Sequence, residues 1–245
     1  MAARLLASIL VAIATLGAGP ARAQDVPLAI TSANIFRMVT GENLLRHYDP
    51  GDVLRLEVFV TRSMRPTTVV ASHGELRIEL SYYSGPMLDD LYQAAIPFDP
   101  ALVGPWQITV RRGGAMVTAT APGVPPAVTM PLIEDIRVET VDSEPRIAWT
   151  WPDLSALRDL GLVVDGDIRV MQEDNLQQYR LNFGFTREPM AIGEAGDPYA
   201  IPIPGGLEAD GLFLFRVYLT AYGRDGNVVA QSLSFAPRLY GIPAG

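Results

Sequence analysis

The sequence of 245 residues contains no cysteine and no lysine, and it has only two histidines. The absence of cysteine excludes disulfide bonds, thiolate nucleophiles and cysteine-ligated metal sites. Because all 19 basic residues are arginines, every cationic side chain is a planar, permanently charged guanidinium. After residue 23 no apolar run reaches the ~20 residues that a membrane-spanning helix needs, so we expect no integral membrane segment there.

A short apolar run lies close to the amino terminus. Arg4 precedes an apolar run over residues 5–16, and Ala21-Arg22-Ala23 follows it. A basic start, a short apolar middle and a small-x-small end are typical of a cleavable secretory signal. The sequence therefore predicts a signal peptide over residues 1–23, a mature chain that begins at Gln24, and a periplasmic or secreted location.

The mature chain is expected to be acidic. Without residues 1–23 it carries 17 arginines and 27 acidic side chains, which is a net charge of −10. Such a surface repels nucleic-acid phosphates and disfavours anionic membrane surfaces. The whole chain is 49% hydrophobic and 19% charged, a composition that supports a hydrophobic core. We therefore expect a folded protein that has no nucleic-acid partner.

Apolar and polar residues alternate along short segments that are separated by glycines and prolines. Leu76, Ile78 and Leu80 alternate with charged residues, and Gly113-Gly114 is typical of a hairpin turn. Besides 76–80, strands are predicted at 53–60, 106–110, 116–121, 133–141, 146–151, 167–172, 179–185, 199–203, 212–222 and 227–235, and one short helix at 153–161. The pattern predicts an all-β fold built from antiparallel sandwiches.

A segment rich in proline divides the mature chain. Residues 122–131 read Pro-Gly-Val-Pro-Pro-Ala-Val-Thr-Met-Pro, a composition typical of a linker. The predicted organisation is a β-sandwich domain over 24–122, a linker over 123–131 and a second β-sandwich domain over 132–240. Each predicted domain is close to the ~100 residues of an immunoglobulin-type sandwich.

Two segments of the second half resemble fibronectin type III and related immunoglobulin-like domains. Residues 145–152, with Trp149 near their end, look like the second strand of such domains and its core tryptophan. Residues 215–226 look like the penultimate strand and its turn, although Phe215 stands where that family usually has a tyrosine. In the first half, residues 104–110 with their Gly-Gly turn are similar to the closing hairpin of bacterial extracytoplasmic immunoglobulin-like domains. The resemblance implies two tandem sandwiches and no particular reaction.

The titratable residues form no recognised catalytic or metal-binding motif. The chain has no Gly-x-Ser-x-Gly elbow, and His47 and His73 lie in predicted loops without the spacing of zinc ligands. Asp165-Gly166-Asp167 and Glu173-Asp174-Asn175 offer oxygen ligands to calcium, but they lack the spacing of the twelve-residue calcium loop and are typical of turns. We therefore predict a non-enzymatic protein without catalytic residues, cofactor or metal ligands. A hydrolase that uses carboxylates with one of the histidines ranks lowest among the alternatives.

Aromatic side chains are the candidate binding residues. Trp106 and Trp149 are expected in the cores, Trp151 is expected to be partly exposed at a strand end, and one ring of the Tyr82-Tyr83 pair must face outward. Exposed rings stack on sugars or anchor protein partners. The leading hypothesis is an exported binding or scaffolding protein whose partner pairs with an exposed sheet edge. The alternative is a carbohydrate-binding accessory module that uses Trp151, Tyr82 and Tyr83.

Overall fold

A computed structural model describes residues 26–42, 50–84, 88–125, 128–142, 144–173, 179–184, 192–203, 212–238 and 240–241, with backbone alone for 171–173 and 179–184. The predicted signal peptide over 1–23 lies outside the described residues, and so do His47, Asp174 and Asn175. Gln24, residues 126–127 of the predicted linker and residue 185 of the predicted strand 179–185 also lie outside these ranges.

The described part of the chain is all-β with one short α-helix. Its strands are β1 (Ile30–Thr40), β2 (Gly51–Val60), β3 (Thr67–His73), β4 (Leu76–Glu79), β5 (Ser81–Tyr83), β6 (Asp90–Pro97), β7 (Trp106–Arg112), β8 (Ala115–Ala121), β9 (Arg137–Val141), β10 (Glu144–Thr150), β11 (Val163–Glu173), β12 (Tyr179–Gly184), β13 (Pro198–Pro202), β14 (Leu212–Tyr222), β15 (Val228–Phe235) and β16 (Tyr240–Gly241). The helix α1 spans Ser155–Asp159, and a single 3-10 turn spans Pro100–Leu102. Within these ranges no helix is long and apolar enough to cross a membrane.

The hairpin and the helix that the sequence predicts are both present. β7 and β8 are joined by a two-residue turn in which Gly113 has a φ of 58°, a left-handed conformation that glycine adopts without steric cost. The helix is shorter than the predicted 153–161, and Asp153 Oδ1 accepts a hydrogen bond of 2.9 Å from the Ser155 N–H at its start. Leu157 is buried as expected, whereas Leu160 is exposed because the helix ends before it.

The strands form three sheets. The long sheet has the order β12-β11-β14-β15-β1-β2-β6-β5, and β16 pairs with β14 at its side. The second sheet has the order β4-β3-β7-β8, and the third sheet has the order β13-β10-β9. Every pairing between described strands is antiparallel except that of β1 with β15.

Strand β1 joins the two halves of the chain. It is antiparallel to β2, with Ile30 opposite Val60, and it runs parallel to β15 at its other end, with Thr40 opposite Leu233. Beyond that pair the Gly41 N–H donates a hydrogen bond of 2.9 Å to the Leu233 carbonyl. The long sheet therefore continues from the first half into the second, through a strand that the sequence analysis did not predict. The domain boundaries stay a prediction.

The predicted linker carries buried side chains in its described residues. Val124, Val128 and Met130 are each only 1% exposed and belong to the hydrophobic core. Arg37 on β1 fixes this segment, because its Nη1 donates to the Val128 carbonyl at 3.0 Å and to Thr129 Oγ1 at 2.7 Å. Where it is described, the segment packs against β1.

Candidate functional site

Residues 76–83 contain two edge strands, one in each of two sheets. β4 pairs with β3 in the second sheet, and β5 pairs with β6 in the long sheet. The chain passes from one sheet to the other at Leu80, which is buried and whose N–H donates a hydrogen bond of 2.9 Å to the Val69 carbonyl. Among the described strands, β4 and β5 are each the last of their sheet. An edge strand presents a row of main-chain N–H and C=O groups on the side that has no neighbouring strand.

β5 presents two tyrosine rings and no charge. Tyr82 lies opposite Tyr92 of β6, and Tyr83 lies opposite Leu91. Because successive side chains of a strand alternate, the two rings point to opposite faces of the sheet. Tyr82 is 55% exposed with its ring centroid 5.5 Å from that of Tyr92, and Tyr83 is 45% exposed. Each ring therefore offers about half of its surface to a ligand.

A buried ion pair lies behind this edge and links the two sheets. Arg112 of β7 and Asp90 of β6 are both buried, with Arg112 Nη2 4.0 Å from Asp90 Oδ2. Arg112 Nε donates a hydrogen bond of 2.8 Å to Thr67 Oγ1, and its Nη2 donates to the Thr61 carbonyl. Asp90 Oδ2 also accepts a hydrogen bond of 3.1 Å from the Ser63 N–H. The pair thus fixes the start of β6 and the connection between β2 and β3.

The hydroxyl of Tyr92 belongs to the same buried region. Burial raises the pKa of Tyr92 above its usual value, and a hydrogen bond with Thr67 opposes this change in part. Tyr92 is therefore neutral across the physiological range and forms an apolar support for the ring of Tyr82.

Trp151 is buried, and the expectation that it is partly exposed is wrong. It is 2% exposed, and its ring centroid lies 5.6 Å from that of Trp149 and 5.4 Å from that of Tyr199. Gly193 lies against the indole so closely that a Cβ there would be 2.3 Å from Trp151 Cδ1. The main-chain N–H of Trp151 donates a hydrogen bond of 3.0 Å to the Asp197 carbonyl. Trp151 thus lies in the core of the second half, where it cannot stack on a ligand, while Trp106 and Trp149 are buried as expected.

The described histidine and the acidic turn residues have local partners. His73 is half-buried, with Nδ1 3.0 Å from the Pro105 carbonyl oxygen and its ring centroid 5.2 Å from that of Trp106. Asp165 accepts a hydrogen bond from the Gly166 N–H, and Asp167 accepts one from Arg169 Nε at 2.7 Å. No group of three or more His, Cys, Asp or Glu residues in the described ranges is placed to hold a metal ion.

A cavity of about 450 Å³ that the sequence analysis did not predict lies at the carboxyl end of β1. Its described lining comes from three separate segments and consists of Gly41, Glu42, Leu132, Ile133, Glu134, Ser234, Phe235, Ala236 and Pro237. The Ile133 N–H donates a hydrogen bond of 2.8 Å to Ser234 Oγ, which holds two of the segments together. Two carboxylates and several apolar side chains favour a cation over an anion at this site. The lining has no sequence signature because the segments meet only in the folded chain.

No known protein-family model matches this chain, and no curated protein matches it.

Proposed function

We propose that this chain is an exported, non-enzymatic binding or scaffolding protein that holds a protein partner at β5. The observation that carries the proposal is the position of β5, which is uncharged and exposed and is the last described strand of the nine-stranded long sheet. An extended segment of a partner can add to such an edge through main-chain hydrogen bonds. Tyr82 and Tyr83 then supply the side-chain contacts that select the partner.

The composition of the edge supports this role. Natural proteins usually protect an exposed edge with charged residues, with prolines or by keeping the edge strand short. β5 is short, but it carries only a serine and two tyrosines and no charge, whereas β4 carries Arg77 and Glu79. Since three residues form few main-chain hydrogen bonds, the tyrosine rings must supply a large part of the affinity.

The proposal includes two tandem immunoglobulin-like or fibronectin type III-like sandwiches behind a cleaved signal peptide. The order β1-β2-β6-β5 beside β3-β7-β8 supports the first sandwich, because immunoglobulin constant-type domains place their first, second, fifth and fourth main strands in one sheet. In the second half, three strands (β13-β10-β9) and four strands (β12-β11-β14-β15) add up to the seven of such a domain. Loops and edges of these sandwiches commonly carry binding sites.

Site-specific photo-crosslinking tests the proposed edge. A photoreactive amino acid replaces Tyr83 in the protein made by its own host, and a matched variant carries it at Leu160, an exposed residue of the second half. We expect a protein product that crosslinks from position 83 and not from position 160. Adding Tyr82→Ala should lower its yield about 30-fold, as for an interface residue worth ~2 kcal/mol, while the protein stays folded with a slightly lower unfolding midpoint because the ring packs on Tyr92. Products that are the same from both positions would show that β5 is not the binding edge.

A carbohydrate-binding accessory module is the second candidate, favoured by the half-exposed rings of Tyr82 and Tyr83. Because the rings point to opposite faces and Trp151 is buried, a sugar would stack on one ring at a time. Binding on a glycan array that either Tyr82→Ala or Tyr83→Ala abolishes in a folded protein would favour this candidate. The absence of any glycan that binds the unaltered protein would remove it.

A further inference from the structure

Three connections lie together at the end of the molecule where β1 begins. Ile30 at the start of β1 lies opposite Val60 at the end of β2, and Val60 lies opposite Asp90 at the start of β6. In the second sheet Thr67 at the start of β3 lies opposite Arg112 at the end of β7. We call this region the loop end; it comprises residues 26–29, 61–66, 84, 88–89 and 111–116.

Each part of the loop end carries an exposed large apolar side chain. Met64, between β2 and β3, is fully exposed, and Leu88, between β5 and β6, is 94% exposed. Met116, next to the β7–β8 turn, is 59% exposed, and Val26, before β1, is 56% exposed. Single exposed apolar residues are common on protein surfaces, but four at one end of a sandwich mark an interaction surface.

Arginines accompany these apolar side chains. Arg62, Arg65 and Arg111 are exposed at the loop end. Of the two carboxylates in or next to these segments, Asp89 accepts a hydrogen bond of 2.7 Å from Thr31 Oγ1, and the buried Asp90 lies 4.0 Å from Arg112 and 3.6 Å from Arg62. With Arg112 the region has four arginines against these two carboxylates, so its net charge is positive, although the whole chain has a net charge of −8.

The remote acidic residues have little influence at the loop end. Glu42 and Glu134 line the cavity at the other end of β1, which is an 11-residue strand and so spans about 35 Å. Charges in solution are largely screened beyond ~10 Å at 0.1 M salt. Glu42 and Glu134 therefore add little to the electrostatic potential at the loop end.

We propose that the loop end docks onto an anionic lipid surface, with Met64 and Leu88 inserted among the headgroups. Protein anchor residues usually lie in well-packed surroundings, whereas these two side chains project from separate connections with almost their whole surface in water. Arginine suits this position because its apolar stem extends along the hydrocarbon boundary while the guanidinium contacts phosphate. This docking is peripheral, and it is independent of the function proposed for β5.

Sedimentation with lipid vesicles tests the docking. The purified protein is mixed with vesicles of phosphatidylglycerol and phosphatidylcholine, or with vesicles of phosphatidylcholine alone. We expect binding to the anionic vesicles that weakens as salt is added, and little binding to the neutral ones. The double variant Met64→Asp/Leu88→Asp should bind at least about tenfold more weakly, and Arg65→Gln or Arg111→Gln about fivefold more weakly each. The matched control Leu160→Asp, an exposed leucine of the other half, should change binding less than about twofold.

Several results would overturn the proposal. They are the absence of binding to both vesicle types, equal binding to both, binding that the Met64→Asp/Leu88→Asp variant retains, or an equal loss in Leu160→Asp. Unfolding midpoints within the error of the unaltered protein establish that the variants are folded. If vesicles do not bind and the double variant instead loses the crosslink from position 83, the loop end belongs to a protein interface and the lipid proposal is wrong.

Discussion

Arg112 and Asp90 join the two sheets of the first half from opposite sides of its core, with Arg112 Nη2 4.0 Å from Asp90 Oδ2. Both side chains are about 95% buried, so neither charge is solvated by bulk water. Each also bonds to the backbone of the β2–β3 connection. Arg112 donates a hydrogen bond to the Thr61 carbonyl, and Asp90 accepts one from the Ser63 N–H. The pair therefore positions the connection that carries Met64 as well as the start of β6, which supports β5.

Removing one member of this pair should destabilise the protein strongly. Arg112→Met removes the buried cation of Asp90 and leaves it only the exposed Arg62, whose Nε lies 3.6 Å from Asp90 Oδ1, so we expect a cost of about 3 kcal/mol of unfolding free energy. The double variant Arg112→Met/Asp90→Leu should lose less, because no unpaired charge remains. Urea denaturation followed by circular dichroism measures both values.

The control for this prediction is the same substitution at an exposed ion pair. Arg158 lies 3.0 Å from Glu194, and both side chains are at least 40% exposed. Arg158→Met should cost about 1 kcal/mol or less. A loss in Arg112→Met that is no larger than the loss in Arg158→Met would contradict the structural role of the buried pair.

Two glycines test how tightly the predicted linker packs. Gly123 has a φ of 72°, and a Cβ there would lie 1.7 Å from the Gly104 carbonyl oxygen, whereas Gly74 has a φ of 57° and open space around it. Both alanine variants carry the left-handed backbone cost, about 1–2 kcal/mol. Gly123→Ala should lose about 1–3 kcal/mol more, because the main chain must move. Equal unfolding free energies for the two variants would show that residue 123 does not contact residue 104.

The alternation of apolar residues predicted those strands that have one face in a core. β2 and β7 belong to this group, and the Gly-Gly turn predicted the hairpin of β7 with β8, whereas β14 is buried on both faces and β4 is only partly covered. β1 was missed because its sequence has no regular alternation and its parallel partner, β15, lies nearly 200 residues later. A pairing over such a distance in sequence leaves no local signal.

Exposure was harder to predict than strand position. Trp151 has a strand-end position that suggests solvent, but Gly193 and its neighbours cover the indole from a distant segment. Val124, Val128 and Met130 lie among prolines, and their burial depends on contacts with β1 and the core. Tyr82 and Tyr83 were recognised as candidates, but the edge position of β5 follows only from the order of the strands.

Asp135 gives the stability of the second half a dependence on pH. Burial raises its pKa, but hydrogen bonds from the N–H and hydroxyl of Thr150 and the charge of Arg137 outweigh burial, so the pKa of Asp135 is lowered. A carboxyl whose pKa is lowered in the folded state stabilises the folded protein at pH values above its unfolded pKa of about 3.9. This stabilisation is lost as the pH falls through the pKa of the folded state. Asp135→Asn should therefore be less stable than the unaltered protein at pH 7, with a smaller difference near pH 3. Urea midpoints at the two pH values measure this, and a difference that grows toward acid would contradict the assignment.

Export can be tested by the mass of the mature protein. The small-x-small end at Ala21-Arg22-Ala23 predicts cleavage before Gln24. Mass spectrometry of the protein from a periplasmic or extracellular fraction should give a chain that begins at Gln24. A replacement of Ala23 by a bulky residue such as Phe should block this cleavage and leave the longer chain. Finding only uncleaved protein in the cytoplasm, and no protein in the periplasmic or extracellular fractions, would contradict export.

Amide hydrogen exchange at β5 tests the central claim, that a partner adds to the long sheet at this edge. Exchange is compared between the protein alone and the protein bound to the partner that crosslinks from position 83. We predict that those amides of residues 81–83 that point away from β6 exchange at least about tenfold more slowly in the complex, because added main-chain hydrogen bonds protect them, while β9 at the edge of the third sheet is unchanged. Unchanged exchange at residues 81–83 together with new protection elsewhere would contradict the account.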